Sequence, residues 1–126
     1  MKNILIVDDN KSFDIFTAKL TYARTCEEGL DLLRRGGWDE LLIDYDMGMR
    51  ITGRSAGGIE LYSNDAEAMS GYQMLTVANL EGIQLPPVVR IISVNPDGQK
   101  WLAACLEHDF KYKPTGFTGK MFVRRE

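Results

Sequence analysis

The sequence predicts an α/β fold built on a mostly parallel sheet. Short, unbroken apolar runs, Ile4-Leu5-Ile6-Val7, Leu41-Leu42-Ile43 and Val88 to Ile92, have the length of strands buried on both faces. Helix-start signals and helical apolar spacing fall between them, as at Thr25 and Asn95-Pro96. Each run also stops at a residue with chemistry to offer: Asp8-Asp9, Asp44 and Ser93. Strands alternating with helices in this way imply parallel strands with helices over both faces of the sheet.

The elements follow in order. Residues 3–8 form the first strand. Asn10 to Ala18 has room for a short helix at most, and Lys19 to Arg24 reads as a second strand, with Leu20 and Tyr22 alternating against polar neighbours. Thr25 opens a helix, and Glu28 stands three residues on, the spacing of a capping box. Cys26, Leu30 and Leu33 are its apolar face, and Gly36-Gly37 ends it. Trp38 to Asp44 holds the third strand.

Met47 to Ser70 is a long insert containing glycine. Its runs Arg50-Ile51-Thr52 and Ile59-Glu60-Leu61-Tyr62, split by Ser55-Ala56-Gly57-Gly58, predict a small hairpin. Gly71 to Glu81 is helical, with Met74, Leu75 and Ala78 on one side. Asn95 caps the next helix and Pro96 suits its first position, and Trp101, Leu102, Cys105 and Leu106 recur behind them as its core side. Phe110 to Tyr112 is the last strand and ends at Lys113-Pro114. The tail beyond is too short and irregular for a closing helix. No repeat or internal boundary divides the chain, so residues 1–126 read as one domain.

With 126 residues, 44% of them hydrophobic and 26% charged, the chain has the composition of a globular protein with a core of its own. A net charge of −3 gives no basic field and argues against nucleic acid as partner; Arg124-Arg125 at the tail read as solvated. No apolar run is long enough for a membrane span, and the first residues lack a secretory pattern. Cys26 and Cys105 fall at apolar helical positions and read as buried free thiols, so the expected compartment is the reducing cytoplasm. The single histidine, His108, sits between a helix and a strand and reads as an exposed turn residue; with no cysteine at ligand spacing it makes no zinc site.

In a parallel sheet the strand ends lie side by side, and ligands of open α/β sheets bind there. Asp8, Asp9, Asp44, Ser93 and Lys113 would then share one rim. Clustered carboxylates repel one another unless a cation sits among them, and their hard oxygens suit Mg²⁺. Asp8, Asp9 and Asp44 are therefore the candidate metal ligands. Asp44, Ser93 and Lys113 are the candidates for phosphoryl chemistry, as nucleophile, hydrogen-bond donor and positive charge. Asp46 reads as facing the loop. Arg50 and Arg54 in the insert are either solvated or able to close over a phosphate.

Those five positions, in that order at strand ends, resemble the receiver domains of response regulators over most of the chain. The resemblance implies a three-layer, flavodoxin-like fold with a five-stranded mostly parallel sheet, here with a shortened first helix, a missing last helix and the insert at about 47–70. It also implies an Asp44 phosphorylated by a kinase or a small phosphate compound, and a protein partner that reads the result. Receivers carry a switching aromatic two residues before the lysine; Lys111 holds that place here, and Tyr112 directly precedes Lys113.

A narrower set of motifs resembles the cyclic-phosphate-processing receivers: Gly37-Trp38-Asp39-Glu40, Asp44-Tyr45-Asp46-Met47-Gly48, Gly71-Tyr72, Pro86-Pro87 and Ser93-Val94-Asn95-Pro96. That family's motifs carry a histidine where Tyr45 stands and another where Ile92 stands. The resemblance implies a cyclic-phosphate ligand, a cyclic nucleotide or an RNA end, in a pocket without those two imidazoles. Three functions follow as expectations: a stand-alone phosphate-dependent signalling module, a cyclic-phosphate enzyme or binder, and an inert interaction module.

Overall fold

A computed structural model describes the chain except residues 10, 11, 14, 16, 48, 55, 58, 59, 65–68, 94, 115–119 and 126; for the hairpin strands of the insert only the backbone is described. Its elements are β1 (Lys2–Val7), β2 (Ala18–Ala23), α1 (Cys26–Arg35), β3 (Glu40–Ile43), β4 (Met49–Arg54), β5 (Glu60–Asn64), α2 (Gly71–Glu81), β6 (Val88–Ile91), α3 (Pro96–Leu106), β7 (Phe110–Lys113) and β8 (Lys120–Arg124). The main sheet has six strands in the order β2-β1-β3-β6-β8-β7. β2, β1, β3 and β6 are parallel, and β8 runs antiparallel to both β6 and β7. The α/β fold and its parallel centre are as the sequence predicts.

The sheet has one strand more than expected. The tail does not add a helix; it turns back as β8 and enters the sheet between β6 and β7. Met121, Phe122 and Val123 supply β-favouring apolar residues there, and Phe122 is buried. Arg124 belongs to this strand. Its guanidinium stacks on Phe110 at 5.9 Å and donates to the carbonyl of Leu85, so the expectation of a solvated arginine is corrected at this position. The insert forms the expected hairpin, with β4 and β5 antiparallel in a two-stranded sheet of their own. Its turn residues Ser55, Gly58 and Ile59, and the side chains of Arg50 and Arg54, lie outside the described residues.

The helix ends are built as their sequences require. Thr25 accepts the backbone N–H of Glu28, and Gly36 and Gly37 leave the helix at positive φ, 73° and 87°, which glycine adopts without strain. Ser70 and Gln73 form a full capping box at α2. Asn95 caps α3 by accepting from Asp97 and Gly98.

One core joins all three helices to one face of the sheet. Leu5 and Val7 of β1, Leu41 and Ile43 of β3, and Val89 and Ile91 of β6 meet Leu30 and Leu33 of α1, Met74 and Leu75 of α2 and Leu102 and Leu106 of α3. The opposite face is different. There Ile4, Ile6 and Leu42 are covered by Phe13 and Ile15 of the link after β1 and flanked by Leu20, Tyr22 and Ile92. Beside them the buried carboxylate of Glu40 accepts from Lys2 Nζ at 3.2 Å and Arg90 Nε at 3.4 Å. Among the described residues no helix packs on this face. Four residues of the Asn10–Ala18 link, where the short helix was expected, lie outside the described residues.

Candidate functional site

The strand register brings the acids together. Val7 is level with Ile43, so Asp8 and Asp44 follow side by side on neighbouring strands, about 4.8 Å apart in the hydrogen-bonding direction. The amide of Asp44 donates to Val7 O at 3.1 Å and that of Asp8 to Ala23 O at 3.1 Å, extending both ladders to the acids themselves. Asp8, Asp9 and Asp44 each offer a carboxylate oxygen within 4.8 Å of the others. Asp8 is fully buried, Asp44 buried and Asp9 half-buried. Three close, poorly hydrated carboxylates suit a hard cation such as Mg²⁺, which removes their mutual repulsion.

Ser93 and Asp46 complete the described part of this rim. Ile92 donates its N–H to Ile43 O at 3.0 Å, which sets it level with Asp44 and places buried Ser93 one residue further. Ser93 Oγ accepts the amide of Asn95 at 3.2 Å, and the Asn95 side chain donates to Asp46 Oδ1 at 3.4 Å. Asp46 in turn donates its amide to Asp44 Oδ1 at 3.3 Å. Asn95, besides capping α3, therefore ties the serine end of the rim to the aspartate end. Gly48 and Val94 of the motifs lie outside the described residues.

Backbone approach fixes the identity of Gly71. A Cβ there would stand 2.2 Å from the carbonyl oxygen of Asp44. Glycine lets the N-terminus of α2 come down onto the acid-bearing loop, where the Gly71 amide donates to Tyr45 O at 3.2 Å.

Lys113 stands elsewhere. It pairs with Met121, Met121 with Arg90, and Arg90 with Leu42, so Lys113 is level with Leu42, two residues short of Asp44. Three strand spacings, about 14 Å, separate β7 from β3. Lys113 is exposed on the edge strand, and β8 occupies the place beside β6. The acids and Ser93 are gathered at one rim, and Lys113 is not among them.

A cation that sequence reading passed over does reach the rim. Val7 is level with Ala23, which puts Arg24 beside Asp8. The Arg24 guanidinium donates to Asp8 O at 3.2 Å and stacks on the Tyr22 ring at 4.5 Å. The signal was present: one residue past the end of a strand neighbouring β1 is a rim position.

The other singled-out residues have structural places. Cys26 and Cys105 are free thiols, the first buried and the second half-buried. Burial, with the charges of Glu27, Asp44 and Asp9 adding to it, pushes the Cys26 thiol up to about 12, so it is protonated beside the acids. His108 is exposed and contacts Asp109 at 3.0 Å. Trp101, expected in the core, is 53% exposed and meets only the edge of the Tyr72 ring at 5.5 Å among described aromatic contacts.

The family model described as the cyclic-phosphate processing receiver domain matches residues 3–108. The chain belongs to that family. The match spans every residue of the acidic rim and Arg24, and stops before β7 and β8, so the added strand and Lys113 lie outside it. No curated protein and no solved structure matches the chain. Among the described residues no helix is long and apolar enough to cross a membrane.

Proposed function

We propose that this receiver-family protein binds Mg²⁺ together with a phosphoryl group at the rim of β1, β3 and β6, with Asp44 as the phosphate acceptor of a signalling module. The observation that carries this reading is the convergence of Asp8, Asp9 and Asp44 within 4.8 Å. Asp8 and Asp9 hold the cation, and Asp44 contributes a further oxygen. When bound, Mg²⁺ supplies positive charge against the phosphoryl oxygens. An Asp44 oxygen forms the new bond to phosphorus, and the donor's leaving oxygen departs with the electron pair of the bond that breaks. Ser93 Oγ hydrogen-bonds a phosphoryl oxygen. Lys113 lies on β7, three strand spacings from β3, and is assigned no part of this work in the proposal. The donor is a kinase or a small phosphate compound, and a protein partner reads the modified state. A reducing, cytoplasmic compartment suits the free thiols.

The test is incubation with acetyl phosphate and Mg²⁺, followed by intact-mass measurement. One phosphoryl adduct that needs Mg²⁺ and disappears in Asp44→Ala supports the reading. No adduct in the wild-type protein, together with no beryllofluoride binding, removes it.

A second reading is favoured by the family match. The same cation-holding rim takes a cyclic phosphate as ligand, a cyclic nucleotide or an RNA end. With Tyr45 and Ile92 at the places of the family's histidines, this reading predicts binding without rapid turnover, since general acid–base catalysis by those groups is missing. Turnover of a 2′,3′-cyclic phosphate that is lost in Asp44→Asn would establish the enzyme.

A further inference from the structure

We infer that Trp101 and Tyr72 form a base-binding platform beside the acidic rim, so that the ligand is a nucleoside cyclic phosphate: its phosphate sits at the rim and its base stacks on the indole. The inference rests on the cyclic-phosphate reading above and names the part of the ligand that this chain selects.

Trp101 is the anomaly that carries it. α3 buries Leu102 and Leu106 in the core, yet the largest side chain of the helix is 53% exposed. An indole left in water forgoes the gain of burial, and its flat face is stacking surface for any base. Trp101 meets half-buried Tyr72 edge-on, with ring centroids 5.5 Å apart and planes at 67°. In such a pair the edge of one ring meets the face of the other, so the two make a corner rather than a closed sandwich. A flat base fits a corner of this kind, its face on one ring and its edge toward the other.

Both helices that carry the platform are seated on the loop that bears Asp44. Tyr72 directly follows Gly71, where a Cβ would collide with the carbonyl oxygen of Asp44. Trp101 lies three residues beyond Gly98, which rests on the ring of Tyr45, the neighbour of Asp44. Three residues are about 4.5 Å of helix rise, and helical side chains lean toward the N-terminus of their helix, here the rim. The rings therefore stand within one helical turn of the contacts that seat α2 and α3 on that loop. Both also fall inside residues 3–108, the segment that matches the cyclic-phosphate processing family. One pair of rings holds one base, which suits a single nucleotide. The net charge of −3 likewise gives no field for a long strand. A free nucleotide and the last residue of an RNA offer the same chemistry, and the test separates them.

Calorimetry in Mg²⁺ tests this with three probes: adenosine 2′,3′-cyclic phosphate, glycerol cyclic phosphate, which has no base, and a trinucleotide ending in the same cyclic adenosine. Trp101→Ala should bind the adenosine ligand about fivefold to a hundredfold more weakly than wild type, the loss of one base stacked on an aromatic ring. Its affinity for the glycerol compound should be that of wild type. Trp101→Phe, which keeps a ring, should recover most of the loss. The position is exposed, so both variants should fold as wild type does. The adenosine ligand should also change tryptophan emission in wild type and leave it unchanged in Trp101→Phe, where only Trp38 remains. The trinucleotide should show the same dependence on Trp101; binding clearly tighter than the mononucleotide identifies an RNA end, and equal binding a free nucleotide. Equal losses of the adenosine and glycerol ligands in Trp101→Ala, or no loss of either, overturn the inference and leave the cyclic-phosphate reading standing. Wild type that binds none of the three probes overturns that reading, and the platform with it.

Discussion

The ring of Tyr45 lies against the backbone of Gly98 so closely that a Cβ on residue 98 would stand 2.5 Å from its Cγ and 2.6 Å from its own Cβ. The first turn of α3 is seated on the residue that follows Asp44. Asn95, at the start of that turn, bonds the loop again through Asp46. The acid-bearing loop and the N-terminus of α3 are therefore tied at two points, and Tyr45 packs between them.

Gly98→Ala tests that packing. The clash involves the root of the ring rather than a flexible tip, so the helix or the loop must shift. The expected loss is about 1–3 kcal/mol of stability, as for other overpacked sites. Tyr45→Gly, which takes away the Cβ as well as the ring, should remove the clash, so the double variant loses less than the sum of the singles, read from urea midpoints in a double-mutant cycle.

Gly71→Ala tests the contact on the other side of the loop. Its Cβ would meet a carbonyl oxygen, which cannot rotate away. The account predicts a destabilisation of about 2 kcal/mol or more, with the carbonyl of Asp44 displaced. Mg²⁺ affinity should fall with it, whereas Gly82→Ala, strained by its φ of 71° but far from the rim, should cost stability and leave Mg²⁺ affinity unchanged.

Much of this was legible in the chain. The strands of the parallel centre were marked by apolar runs that end in acids, and the helices by Thr25, Gly36-Gly37, Asn95 and Pro96, because caps and breakers act locally. The convergence of Asp8, Asp9 and Asp44 was readable for the same reason: each follows a buried strand directly. The misread parts depend on non-local pairing. Nothing near Met121 says that β8 enters beside β6 in place of β7, and that one insertion carries Lys113 away from the acids. Arg24 was overlooked because its value comes from a neighbour, Asp8, that lies far off in sequence. Trp101 fitted the helical spacing of a core face, but α3 turns that position outward to meet Tyr72.

Asp44→Asn separates repulsion from metal binding. The amide keeps an oxygen for the Asp46 N–H and removes one of three adjacent negative charges. Without metal, the variant should unfold no earlier than wild type. Excess Mg²⁺ should stabilise wild type by about 2.7 kcal/mol at a hundred times its dissociation constant, and the variant by clearly less at the same concentration. Equal stabilisation of both proteins would place the metal elsewhere.

The Cys26 thiol gives a pH signature. Its folded value lies near 12 against 9.0 for a free thiol, so the unfolded chain loses this proton first. The resulting stability is whole below pH 9 and is lost as pH rises toward 12, by up to about 1.4 kcal/mol per unit. Cys26→Ala should lack this component, so the stability gap between it and wild type should narrow across pH 9–11 in urea titrations. Native Cys26 should also resist iodoacetamide at pH 8.5 until the protein unfolds.

The most direct test of the whole account is a crystal structure grown with Mg²⁺ and beryllofluoride. The account predicts an octahedral ion with oxygen ligands at about 2.0–2.1 Å from the Asp8–Asp9–Asp44 cluster and beryllium joined to an Asp44 carboxylate oxygen. Saturating ligand that leaves those three aspartates empty, or occupies a site elsewhere on the protein, would contradict it.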